Sequence, residues 1–90
     1  MGKETRLFKS EEKKSRADAA EFLRRLADKV ADGRVVLSQG SEDLPLQIPA
    51  NVILEVQVED EKKGRKGVQH SLEVEIKWFD GEEGGELELK

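Results

Sequence analysis

Any chemistry in this 90-residue chain would have to come from one histidine, no cysteine and a scatter of carboxylates and cations. Catalysis needs a nucleophile beside a base, or tuned acid–base groups gathered in one place, and a thiolate metal site needs cysteine. His70 is the only imidazole. Strand alternation sets it with Val68, Leu72 and Val74 on an apolar face and sends Ser71 to the opposite one, so it reads as a structural or rim residue. The glycine-bearing turns match neither G-x-x-x-x-G-K-[ST] nor G-x-G-x-x-G, so no phosphate cradle is indicated. We expect no catalytic residue, no cofactor and no metal site.

Three weaker constellations remain. Keeping the apolar residues of the last two strands on one side sets Glu55 opposite Glu73 or Glu75 on the other. Such a face could offer oxygen ligands to a divalent cation, but a solvated acidic face blunted by Lys77 is the simpler account. Lys62, Lys63, Arg65 and Lys66 form the densest basic run, at the tip of a hairpin. As a nucleic-acid contact the run is weak, because no aromatic side chain interleaves with it to stack a base. Trp78 follows Val74 and Ile76 in register. It either closes the rim of a core or anchors an interface, the role in which Trp is most enriched.

The elements that would hold these residues are legible in the periodicity. Ala19, Phe22, Leu23, Leu26, Ala27 and Val30 recur at three and four residues and form one stripe of a helix over residues 16–32. Ser15 is placed to cap it, Asp18 suits the positive end, and Gly33 supplies the left-handed stop. Beyond Gly33 the period becomes two. Residues 34–39 and 44–49 read as a hairpin turning at 40–43, with Pro45 and Pro49 at an edge. Residues 52–59 and 68–78 read as a second hairpin, closed by the Gly64 and Gly67 loop. Residues 3–9 carry a weak strand pattern, and 86–89 could pair as another strand.

The predicted fold is α+β, one amphipathic helix packed on one face of a four- to five-stranded mainly antiparallel sheet. Residues 1–79 are expected to form a single domain, with 80–90 as an acidic, glycine-rich mobile tail. Composition agrees with a small core: 36% of residues are hydrophobic and 40% charged. The net charge of −4 is unevenly spread, since residues 1–34 carry ten Lys/Arg against seven Asp/Glu and 35–90 carry six against thirteen. An acidic balance argues against nonspecific nucleic-acid or anionic-membrane binding. No apolar run approaches the roughly 20 residues of a membrane span, and Lys3, Glu4 and Arg6 break any signal-peptide pattern. Cytoplasmic residence without membrane association is the expectation.

The helix Ala19 to Asp28 (AAEFLRRLAD), the glycine-bounded hairpin after it, and the strand Leu72-Glu73-Val74-Glu75-Ile76-Lys77-Trp78 occur in an order that resembles the amphi-Trp domain family. The resemblance covers about residues 4–79. It implies a small prokaryotic domain with this order of elements and no assigned activity, and so leaves function open.

A covering argument points to one. A helix about 10 Å wide shields two or three strands spaced about 4.8 Å apart, and this chain offers four or five. Apolar residues among Val35, Leu37, Leu44, Leu46, Ile48, Val52 and Leu54 would then lack cover, and exposed apolar patches mark interaction surfaces. The expectation is a noncatalytic interaction module, a homodimer or an adaptor for an unidentified protein partner, with Trp78, Ile76, Leu46 and Ile48 as contacts. The alternative is a nucleic-acid accessory protein using Lys62, Lys63, Arg65 and Lys66.

Overall fold

The computed structural model describes residues 2–81. In chain order they form helix α1 (Arg16–Asp32), strands β1 (Arg34–Gln39), β2 (Glu42–Gln47) and β3 (Ile53–Lys62), a short 3₁₀ turn (Gly64–Lys66), and strand β4 (Val68–Lys77). The chain divides into two compact units, Met1–Ile48 and Pro49–Lys90.

In the first unit, α1 begins and ends where local chemistry demands. Ser15 is extended (φ −69°, ψ 158°), and its hydroxyl accepts a hydrogen bond from the Asp18 amide at 3.0 Å. That satisfies one of the four amides a helix leaves free at its start. Gly33 has φ +83° and donates to the carbonyls of Lys29 and Val30, a conformation that a Cβ would strain. The Gly33 carbonyl then accepts from the Ile48 amide at 2.8 Å, which ties the end of the helix to the residue following β2.

β1 and β2 pair antiparallel, Val35 opposite Leu46 and Leu37 opposite Leu44, and turn through Gly40 at φ +61°. Val35 is buried, 4% exposed. Leu37, Leu44, Leu46 and Ile48 beside it are half-buried, as are Leu26 and Val30 of the helix. The opposite face of the hairpin carries Val36 against Pro45, and the Ser38 hydroxyl donates to Asp43 at 2.7 Å.

The second unit is a long hairpin. β3 and β4 pair over ten residues each, from Ile53 opposite Lys77 to Lys62 opposite Val68. Gly64 (φ +62°) and Gly67 (φ +86°) turn the chain between them, and the Lys63 amide donates to the Gly67 carbonyl at 2.7 Å.

The helix bounds, both caps and both hairpins agree with the periodicity, and the α+β class holds. Three expectations do not. The strands form two separate two-stranded sheets, β1–β2 and β3–β4, instead of one sheet of four or five. Alternation fixes which residues share a face but carries no information about which hairpins become neighbours. Residues 3–9 form no strand; Leu7 and Phe8 are adjacent and therefore point to opposite sides, so the segment has no apolar face to bury. The surface expected to lack cover on β1–β2 is instead the more protected one, with Val35 buried and its neighbours half-buried. The expected strand at 86–89 and most of the expected tail lie outside the described residues; Asp80 and Gly81 form a turn. Among the described residues no helix is long and apolar enough to cross a membrane.

Candidate functional site

The β3–β4 register separates two chemically opposed faces. One presents the cross-strand pairs Leu54–Ile76, Val56–Val74 and Val58–Leu72, then Asp60–His70 and Lys62–Val68 towards the tip. The other presents Ile53–Lys77, Glu55–Glu75, Gln57–Glu73, Glu59–Ser71 and Glu61–Gln69. Alternation over ten residues, without a bulge, produces this separation.

The apolar face is uncovered. Leu54, Val56, Val58, Leu72 and Val74 are each between 60% and 72% exposed, and only Ile76 at its end is half-buried. An antiparallel sheet ordinarily places one such face against a core, and a lone two-stranded hairpin is marginally stable in water. At the open end of the hairpin, Ile53, Ile76, Lys77, Trp78 and Phe79 line an open, mainly apolar cavity of about 430 Å³. Trp78 is half-buried in that lining and Phe79 largely exposed.

The predicted contact residues fall in different places. Ile76 and Trp78 are brought together in the cavity. Leu46 and Ile48 belong to the first unit and are half-buried there, Leu46 on β2 opposite Val35. Sequence reasoning passed over Val56, Val58, Leu72 and Val74 as a surface in their own right. The signal was present: these two strands have the cleanest alternation in the chain.

The basic loop is exposed around the Gly64–Lys66 turn, where Lys63 meets Glu61 at 3.2 Å. No aromatic residue lies in it. His70 Nδ1 lies 2.6 Å from Asp60 Oδ1 across the strand pair, with both side chains exposed. On the acidic face, Lys77 donates to Glu55 at 2.6 Å and lies 3.9 Å from Glu75. That hydrogen bond and the charge behind it hold the lysine ammonium above its ordinary value. Glu73 is raised above the usual carboxylate value, first by a side-chain hydrogen bond with Glu59 and then by the like charge of that neighbour. The two lie diagonally across the strand pair, Glu59 opposite Ser71 and Glu73 opposite Gln57, where like charges repel. Among the described residues, no group of three or more side chains is arranged to hold a metal ion.

A family model, the Amphi-Trp domain, matches residues 1–90, the whole chain. The chain belongs to the Amphi-Trp domain family. No curated protein and no solved structure matches it. In this Amphi-Trp domain the amphipathic strand and the tryptophan are one continuous feature. β4 carries the apolar stripe Leu72, Val74 and Ile76 and delivers Trp78 to the cavity at its end.

Proposed function

We propose that the chain is a noncatalytic interaction module that docks a protein through the apolar face of the β3–β4 hairpin. The observation that carries this reading is the exposure of Leu54 and of the consecutive apolar pairs Val56–Val74 and Val58–Leu72 on an unbroken register. Side chains of this kind are each stabilised by about 1.5–3 kcal/mol when fully buried, so several left in water form a surface that gains by association. Scattered exposed apolar residues need no explanation, whereas a contiguous strip does. The cavity lined by Trp78 and Ile76 continues the strip and offers a seat for one anchoring side chain, as interface centres commonly do.

The acidic back of the same hairpin supports a protein partner over a nucleic acid, because Glu55, Glu59, Glu61, Glu73 and Glu75 would meet a phosphate backbone with like charge. Tagged chain should capture either a differently tagged copy of itself or a protein from cell extract, with and without nuclease. The capture should be lost on Val56→Lys and kept on Val36→Lys, an exposed valine of the first unit. Capture that vanishes with nuclease, or that ignores Val56→Lys, overturns the reading.

A further inference from the structure

We infer that the occupant of the β3–β4 face is a second copy of the chain, stacked face to face and head to tail about a twofold axis crossing the strands at Val56 and Val74. This rests on the docking-face reading above and adds to it the partner and the geometry.

Charge decides between the ways two copies could meet. Edge-to-edge pairing would extend the acidic face. Within one hairpin Glu55 already faces Glu75, and Glu59 and Glu73 already lie diagonally across the same face. Adding two more strands carrying the same carboxylates multiplies that repulsion. Face-to-face packing leaves the acidic sides outward and in water. The apolar face itself carries no charge until Asp60 and His70, which are already joined to each other.

Two twofold arrangements stack the faces, and the ends of the hairpin discriminate between them. The tip carries Lys62, Lys63, Arg65 and Lys66, whereas past the open end the chain carries Asp80; Glu55, Glu75 and Lys77 lie on the outward face and take no part. An axis along the strands brings basic tip onto basic tip. An axis across the strands avoids that repulsion and sets each basic tip over the partner's open end, towards its Asp80. The apolar residues are symmetric about the same point. Leu54 then lies over the partner's Val58, and Ile76 over the partner's Leu72. Trp78 reaches the partner's His70, and Asp80 the tip beyond the partner's Val68. Stacked sheets lie about 10 Å apart with their strands nearly aligned, which this register accommodates. An isologous interface of this kind is the commonest form of self-association. With three apolar pairs per copy it is smaller than a standard interface, so the dimer is weak and in exchange with monomer.

The full chain has no cysteine, so a single spin label at Gln69→Cys, on the acidic side near the tip, reports the arrangement without altering the face or the tip charges. Sedimentation equilibrium over a micromolar to millimolar range should give a monomer–dimer equilibrium, weakened at least about tenfold by Val56→Lys or Val74→Lys and unchanged by Val36→Lys. Circular dichroism of each variant checks that it folds. Five residues from the axis at about 3.3 Å each, doubled, with the sheet spacing added, place the two labels about 40 Å apart in the head-to-tail stack. The tip-to-tip stack gives about 20 Å. A dimer with the longer distance supports the inference, while the shorter distance, or a dimer indifferent to both lysine variants, overturns it. A monomer throughout also overturns it; if that monomer still captures a cell protein through Val56, the docking reading survives, and if it captures nothing both fall.

Discussion

The two units use the same device, an antiparallel hairpin with apolar residues at every second position, and reach opposite burial. In β1–β2, Val35 is 4% exposed and its cross-strand neighbours are half-buried. In β3–β4, the longer and more regular hairpin, every residue of the stripe but Ile76 is exposed. The first unit also contains α1 and the segment before it, whereas the second contains only its hairpin and flanking turns among the described residues. Alternation thus states which side chains share a face, and the other elements of a unit decide whether that face is dry. A regular apolar strip stays in contact with water where its unit shows no further element among the described residues.

The largest test of this contrast is to shorten one valine in each hairpin. Val35→Ala should cost about 2 kcal/mol, the sum of lost methyl transfer and an unfilled cavity. Val56→Ala should cost less than about 0.5 kcal/mol when measured on the monomer. Urea unfolding followed at two probes assigns each effect, because the described helix lies in the first unit and the only tryptophan in the second. Equal costs at the two sites would break the comparison.

Gly33→Ala should follow, at about 1–2 kcal/mol, read as a lower midpoint of the helical circular-dichroism signal. The residue sits at φ +83°, and an added Cβ would come within 3.3 Å of the Ile48 carbonyl oxygen. Ser15→Ala should cost about 1 kcal/mol by the same measurement, since the Asp18 amide loses its acceptor. Both changes should spare the Trp78 signal.

The smallest effects concern the acidic face of the second unit, and there the sign is informative. Glu73 holds its proton more tightly in the fold than in the unfolded chain. Its contribution is therefore present at pH below the ordinary carboxylate value and lost as pH rises through the raised one. Glu73→Gln should raise the thermal midpoint of the Trp78 transition at neutral pH and leave it nearly unchanged in acid. Lys77 is also raised, so the stability from its bond to Glu55 is full at neutral pH and lost only as pH climbs past the raised lysine value. Lys77→Met should abolish that alkaline loss in a pH-dependent melt.

Much of the fold was legible because it is local. Ser15, Gly33 and the stripe from Ala19 to Val30 fix a helix within its own span, and two glycines in a five-residue loop fix the register from Lys62–Val68 back to Ile53–Lys77. Which strands share a sheet depends on contacts between segments, and periodicity has no access to those. The same gap displaced the candidate surface. The count of strands against one helix supposed a single sheet, which the chain does not form, and it assigned the uncovered face to Leu46 and Ile48, which are half-buried. Trp78 and Ile76 stood out because they end the most regular strand in the chain. His70 lies exposed on β4, and its partner Asp60 became visible only through the register.

The short range of every pairing has a kinetic consequence. The Gly33–Ile48 bond, the β1–β2 ladder and the β3–β4 ladder all close within some two dozen residues, and loops that short zip on the microsecond scale. Each hairpin is complete as soon as its own residues are free, and nothing later in the described chain is needed to assemble it. The strip is therefore built by local pairing alone, and on the docking reading proposed above its occupancy would be a matter of mass action. Abundance, not folding, would set how much of the protein is engaged at any moment.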